Sequence, residues 1–228
     1  MKICRFVLSG QTAHFKQPDM TRRDMTFGHI HKVALLGMFG AILGLGGYCR
    51  SQPGQLPEFY QKLSDLPVTV IPVKKSFVKK WQVFTNTTGF ANNGANLVVY
   101  EQWLEHPEWE ICFVINSPVA QELANLLKTN CCSFFPYLGK TEHRAVISDV
   151  KIEDAAMMIP QMPVRIAGLF PKEAGSLSGG RMMYEEALPV SLDDHGFYVS
   201  KTFLMTNGEV DTQWELVQLL DGRYVCMY

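Results

Sequence analysis

Three clusters in this 228-residue chain carry residue types that could do chemistry. The loop between Gly10 and Lys32 holds His14, Arg22, Arg23, His29, His31 and Lys32, and runs straight into an apolar segment with glycines at 37, 40 and 44. A basic loop feeding a helix offers cations and helix-end N–H groups to an anion. The stretch Lys74-Lys75-Ser76-Phe77-Val78-Lys79-Lys80-Trp81 is the second cluster. In a strand, Lys75, Phe77, Lys79 and Trp81 share one face, and Lys74, Ser76, Val78 and Lys80 the other. Cations alternating with aromatics would bind the phosphates and stack the bases of single-stranded RNA; the same lysines would also suit an edge strand guarded against aggregation. The third cluster is the glycine-led loop Leu138–Arg144, where Lys140, His143 and Arg144 could hold phosphate. A His beside a Lys could also promote metal-free RNA cleavage by acid–base catalysis, and a solvated turn is the plain alternative.

Other chemistries find less support. His29-x-His31 with His14 nearby has no cysteine or acid cluster at ligand spacing, so no metal is expected, and no cofactor. There is no P-loop, no GxSxG and no Ser/His/Asp order. The six cysteines (4, 49, 112, 131, 132 and 226) form no CxxC pair, and reduced, mostly buried thiols are expected.

Net charge is −1, but residues 1–80 hold twelve Lys/Arg against four Asp/Glu, +8, and residues 81–228 hold nine against eighteen, −9. Nucleic-acid binding needs such a local basic field rather than a basic average, although the two halves could also interleave and cancel. Val33–Cys49 is uncharged for 17 residues, the bottom of the range for a bilayer span, and Gly40 and Gly44 give a GxxxG spacing. Gly44, Gly46 and Gly47 break its last turns, which leaves a buried helix of about a dozen residues. Gly37, Gly40, Ala41 and Gly44 fall on one stripe, opposite Leu35, Phe39, Ile42 and Leu43, so the small face is expected to lie on a sheet. Met1–Leu8 is too short and is broken by Arg5 for a signal peptide; a soluble, cytoplasmic protein without membrane contact is expected.

The elements that must position these clusters follow from pattern. Strands are predicted at Ile3–Leu8, Val68–Phe84, Leu97–Leu104, Trp109–Ile115, Ala145–Val150, Pro163–Phe170, Phe197–Met205 and Trp214–Met227. Helices are predicted at His29–Leu43 and Pro118–Lys128, the second with Ser117 as N-cap, and a short amphipathic piece at Glu58–Leu66. The polar, Asn/Gly-rich Thr85–Asn96 reads as a hairpin tip, and Asn207-Gly208 and Asp221-Gly222 as turns. The order gives an α+β, ferredoxin-like (RRM-like) core over residues 1–154 and a β-rich C-terminal region over 155–228, packed on that core.

Taken together the segments resemble the CRISPR-associated Cas-five proteins of type I systems. That family shows an A-x-F-x-x-P loop, a T-[YF] pair and an A-x-x-G-[ML]-x-G-A-I-L-G helix. Here these are Ala13, Phe15, Pro18, Thr26, Phe27, Ala34, Gly37, Met38, Gly40, Ala41, Ile42, Leu43 and Gly44. Phe135-Pro136-Tyr137-Leu138-Gly139-Lys140 resembles the family's P-Y-L-G-[KR] motif, and Glu186–Pro189 followed by Gly196-Phe197-Tyr198 is a weaker match. The family usually has prolines just before the helix, where this chain has Gly28-His29-Ile30-His31-Lys32. The pattern is most like the subtype I-B branch.

The resemblance implies a RAMP fold with a β-hairpin thumb near 84–97. It implies a non-catalytic Cascade subunit that caps the backbone filament, holds the 5′ handle of the crRNA, and meets the backbone subunit, the large subunit and, through the complex, target DNA. His14, Arg22, Arg23, His29, Lys32, Lys74, Lys75, Lys79, Lys80, Asn86, Lys140, His143 and Arg144 are the expected RNA contacts. A subtype I-C branch looks able to cut its precursor with a Tyr/Lys/His set; no equivalent set can be placed here, so an endoribonuclease is the second reading.

Overall fold

A computed structural model describes residues 1–20, 23–52, 54–87 and 91–228. The first part of the chain runs β1 (Lys2–Ser9), β2 (Thr12–Ala13), α1 (Lys32–Leu43), α2 (Glu58–Leu63), β3 (Val68–Pro72), β4 (Val78–Thr87), β5 (Asn96–Glu105), β6 (Glu108–Val114), α3 (Pro118–Lys128) and β7 (Val146–Asp154). The rest is strands: β8 (Ala156–Met158), β9 (Phe170–Pro171), β10 (Ser176–Leu177), β11 (Met182–Leu192), β12 (Tyr198–Thr206), β13 (Val210–Asp211), β14 (Leu216–Gln218) and β15 (Tyr224–Val225). The fold is α+β and mostly β.

Four antiparallel strands in the order β3-β6-β1-β7 make the central sheet. β1-α1-β3 and β6-α3-β7 are two β-α-β units whose leading strands lie side by side in its middle. Alternation along β1 serves both faces: Cys4, Phe6 and Leu8 enter the core shared with the helices. Ile3 joins Ile71, Cys112 and Val114 on the opposite face, where Val217, Leu219 and Val225 of the C-terminal region cover it.

Local cues explain α3. Ser117 accepts the Ala120 N–H as N-cap, Pro118 opens the helix where an N–H has no partner, and Ala120, Leu123, Ala124 and Leu127 form its buried stripe. α1 is apolar all round, as a helix covered on two sides is. Its bulky stripe, not its small one, faces the sheet: Phe39 meets Phe6 and Phe113 at ring-centroid distances of 6.2 and 5.5 Å. The expected orientation is therefore reversed, because large side chains interdigitate with the bulky sheet face while small ones admit a second backbone. Phe59 of α2 seats on Gly40, where a Cβ would run into it. No helix among the described residues is long and apolar enough to cross a membrane.

The single strand predicted over Val68–Phe84 is two strands in different sheets. The chain leaves the central sheet at Pro72, which has no N–H to donate, and β4 pairs instead with β5 in a sheet ordered β2-β5-β4. The β4–β5 hairpin pairs from Val78↔Glu105 to Thr87↔Asn96. Part of the predicted tip is thus strand, and residues 88–90 lie outside the described residues. Further predictions change: the strand predicted over Trp214–Met227 is two short ones, β14 and β15, paired across the turn that holds Asp221-Gly222. Pro163–Phe170 shrinks to a two-residue strand with single bridges at Val164 and Ile166. β11 was not predicted at all, since Glu185, Glu186 and Pro189 mask its pattern and its pairing with β12 is bulged near Pro189.

Among the described residues the six cysteines are free, three buried (Cys4, Cys112, Cys226) and three exposed (Cys49, Cys131, Cys132).

Candidate nucleic-acid interface

Two loops far apart in sequence close on the base of the β4–β5 hairpin, one on each face. On the first, the Asp24 N–H donates to the Tyr100 carbonyl (2.9 Å) and the Gln102 N–H to the Asp24 carbonyl (2.8 Å). Lys79 Nζ donates to the Thr26 carbonyl at 2.9 Å. The Arg23 guanidinium lies over the rings of Trp81 and Tyr100, 5.8 and 5.7 Å from their centroids. On the second face, Lys140 Nζ reaches the fully buried Glu101 at 2.8 Å and lies 5.8 Å from the Phe84 ring centroid. There too the His143 ring meets Trp103 edge-on at 4.7 Å, with Nδ1 2.7 Å from Thr12 Oγ1.

The loops also meet each other. The His14 N–H donates to the Leu138 carbonyl at 3.1 Å. Gly139 has φ +92°, and a Cβ there would overlap the His14 carbonyl, so the Tyr-Leu-Gly-Lys sequence is needed for this close approach.

Four of the histidines are buried in this frame, and of these His14 and His31 also border the groove described below; His106 and His195 are exposed. His29 accepts from Trp109 Nε1 (3.2 Å) and sits against Tyr184 and Phe77 at 4.5 and 5.4 Å. His31 caps α1 by accepting the Ala34 N–H (3.2 Å), which closes the helix N-terminus to an anion. Its ring lies among Phe15, Phe27 and Tyr198. Burial pushes both imidazoles down to about 3, so both are neutral at pH 7. Burial also lowers His14, whose Nδ1 is 2.8 Å from the Gln102 carbonyl, and His143. Lys32 is lowered by desolvation as well, and its Nζ donates to the Tyr228 carbonyl at 3.0 Å.

His14, His29, Lys32 and His143 were expected to face RNA; the structure buries all four and bonds one nitrogen of each internally, while Nε2 of His29 and of His143 is buried without a hydrogen-bond partner among the described residues. Phe77 is corrected in the same way, its ring turned inward onto Trp109 at 5.2 Å. Glu186 was missed as a keystone. Its carboxylate accepts from the Gly28 N–H (2.7 Å), Gln17 Nε2 (3.3 Å) and the Tyr184 hydroxyl, and so ties β11 to the loop before α1.

Beside this frame, over the small face of α1, lies a groove of about 870 Å³. Gly37, Gly40 and Ala41 line it from the helix, Tyr48, Phe134, Tyr137 and Tyr198 supply rings, Lys16, Arg50 and Lys140 supply cations, and Asp24 supplies one carboxylate. Tyr48 and Phe134 are 58% and 52% exposed, so their faces are available for stacking. Lys16 is paired with Asp24 (2.8 Å), and Lys140 with Glu101 and Glu142. Desolvation would lower Lys140, but hydrogen bonds to Glu101 and Glu142 outweigh it and hold the ammonium above its ordinary value. Arg50 makes no ion pair among the described residues. Tyr48, Arg50 and Phe134 carry no role in the sequence reading; the signal that could have found them is the glycine stripe of α1, which needs something above it.

Of the other expected contacts, Arg22 lies outside the described residues. Arg23, Lys80, Asn86 and Arg144 are exposed, with Lys80 paired to Glu105 (3.2 Å) and Arg144 over Phe135 (5.4 Å). Lys74 and Lys75 are exposed in the turn before β4 and line a different depression. His29 and His31 turn to separate partners and form no joint metal site. Two other sets, His14/Asp24/Glu101 and Glu101/Glu142/His143, bring ligand atoms within 4.8 Å, but the Lys140 ammonium already neutralises the Glu101 they share.

No family model matches the sequence, and no curated protein matches it. Solved structures do. One is a chain of a CRISPR RNA-guided surveillance complex, 18% identical, with a TM-score of 0.54 over 90% of each chain. Another is a CRISPR protein from Archaeoglobus fulgidus, 11% identical, with a TM-score of 0.58 over 99% of this chain and 98% of that one. At these identities what is shared is the fold.

Proposed function

We propose that this chain is a non-catalytic RNA-binding subunit of a type I CRISPR Cascade complex, most like the subtype I-B branch, holding the single-stranded 5′ handle of the crRNA in the groove over α1. The observation that carries this is the groove itself: half-exposed aromatic faces and cations over a floor of glycine and alanine, on a fold shared with a chain of an RNA-guided surveillance complex. Such a surface stacks unpaired bases and neutralises phosphates. The two β-α-β units and the strand order support a ferredoxin-like RAMP core, and the β4–β5 hairpin is its thumb, reaching toward the guide and the backbone subunit. The large subunit and, through the complex, target DNA complete the partners.

Binding is favoured over cleavage because His29, His31 and His143 are buried and neutral, and a general acid or base must reach the ribose it acts on. The test is incubation of the pure protein with labelled repeat RNA in the absence of metal. RNA retained intact supports the binding role. Specific cleavage abolished by His143→Ala or His29→Ala would replace it with the endoribonuclease.

A further inference from the structure

Lys74 and Lys75 are left over by the groove above. They stand at a separate depression of about 520 Å³ between the turn at residues 73–77 and the segment 164–168. Arg165 joins them on its lining, and Met183, Met205 and Tyr224 give it an apolar side. Lys74, Lys75 and Arg165 are exposed and make no ion pair or side-chain hydrogen bond among the described residues. Several other exposed lysines are paired, Lys62 with Glu58, Lys80 with Glu105, Lys172 with Glu185 and Lys201 with Glu173, while Lys2, Lys128 and Lys151 make no ion pair among the described residues and line neither this depression nor the groove. No carboxylate lines the depression; Arg223 on its lining holds Glu110 and Asp221 at 2.8 and 2.7 Å, and Glu108, whose carbonyl accepts the Val73 N–H at 3.1 Å, makes no ion pair among the described residues.

Three cations without counter-charges, grouped on a partly apolar hollow, complement a polyanion that also carries stackable surface. We propose that this depression is a second binding site for single-stranded nucleic acid, distinct from the groove over α1. Distance separates the two: Tyr198 lines the first and Met205 the second, seven residues apart on β12, about 23 Å at the rise of a strand. The phosphate backbone gives most of the affinity of such a site, and the apolar side gives the bases a surface to rest on.

The experiment uses the full chain and a fluorescein-labelled twenty-nucleotide polyuridine, with affinity measured as a function of salt. Lys74→Ala/Lys75→Ala/Arg165→Ala is expected to weaken binding about tenfold or more at low salt and to flatten the log–log salt slope by about 2, since each single-strand phosphate contact contributes about 0.7. Lys74→Gln/Lys75→Gln, which removes the charge but keeps a polar side chain, should move both quantities in the same direction if the triple variant folds poorly. Tyr48→Ala/Arg50→Ala separates the two sites. If the first groove binds nothing, that variant matches the parent while the triple variant still loses affinity. An unchanged affinity and slope in the triple variant overturns the second site. Displacement of the RNA by polyglutamate of equal charge, lost in the triple variant, would replace nucleic acid with an acidic protein segment as the occupant.

Discussion

The buried histidines of residues 14–31, two of which border the groove over α1, and the open rim of that groove draw on similar residue types and put them to different use. His14, His29 and His31 of the loop and Lys32 at the start of α1 are buried, and one nitrogen of each bonds to Gln102, Trp109, Ala34 or Tyr228, while His29 Nε2 has no hydrogen-bond partner among the described residues. In the groove, Tyr48 and Phe134 keep half their surface open, and Arg50 has no carboxylate partner among the described residues. One set is frame, and the other is the surface proposed to meet RNA. A conspicuous polar residue therefore marks a place where the chain needs a specific bond, and burial decides whether that bond is internal or offered to a ligand.

The pH dependence of stability tests the frame most strongly. His29 and His31 lie near 3 in the folded chain against an ordinary 6.5, so between those values the unfolded chain binds more protons. Stability is then full above about pH 6.5 and falls as pH drops toward 3. Each ring removes about 1.4 kcal/mol per pH unit below 6.5, so urea unfolding at pH 5 should yield about 4 kcal/mol less than at pH 7. Equal stabilities at the two pH values would mean that the rings are solvated and the contrast is wrong.

Gly139→Ala comes next. It places a Cβ on the His14 carbonyl at a positive φ, and thermal melts should show a loss of about 3 kcal/mol. A variant as stable as the parent would show that the two loops do not meet so closely. Glu186→Gln should cost about 1–2 kcal/mol by weakening the bond to the Gly28 N–H, while RNA affinity stays that of the parent. Lost affinity with unchanged stability would move Glu186 from frame to surface. Arg23→Ala should have the smallest effect. It removes an exposed cation over Trp81 and Tyr100, lowers RNA affinity a fewfold, and flattens the salt slope by about 0.7.

What the sequence disclosed was local. α3 was legible to the residue because its cap, its proline and its stripe lie within one stretch. β1, β5 and β6 were legible from composition and alternation. The direction α1 faces was not, since it depends on Phe59, Phe6 and Phe113, which meet only after the chain folds. The burial of His29 was equally hidden, because Trp109 and Tyr184 come from 80 and 155 residues further along. The groove escaped notice for the same reason: Tyr48, Phe134 and Tyr198 belong to three separate segments.

The claim that the groove is the RNA-contacting surface is tested most directly by fluorescence anisotropy of a labelled single-stranded repeat RNA against the parent and Tyr48→Ala/Phe134→Ala. Both rings are half exposed, so the variant should melt with the parent. Base–aromatic stacking is worth about 1–3 kcal/mol per base, and affinity should fall by at least about tenfold. An unchanged affinity in a variant of parental melting temperature would contradict the account.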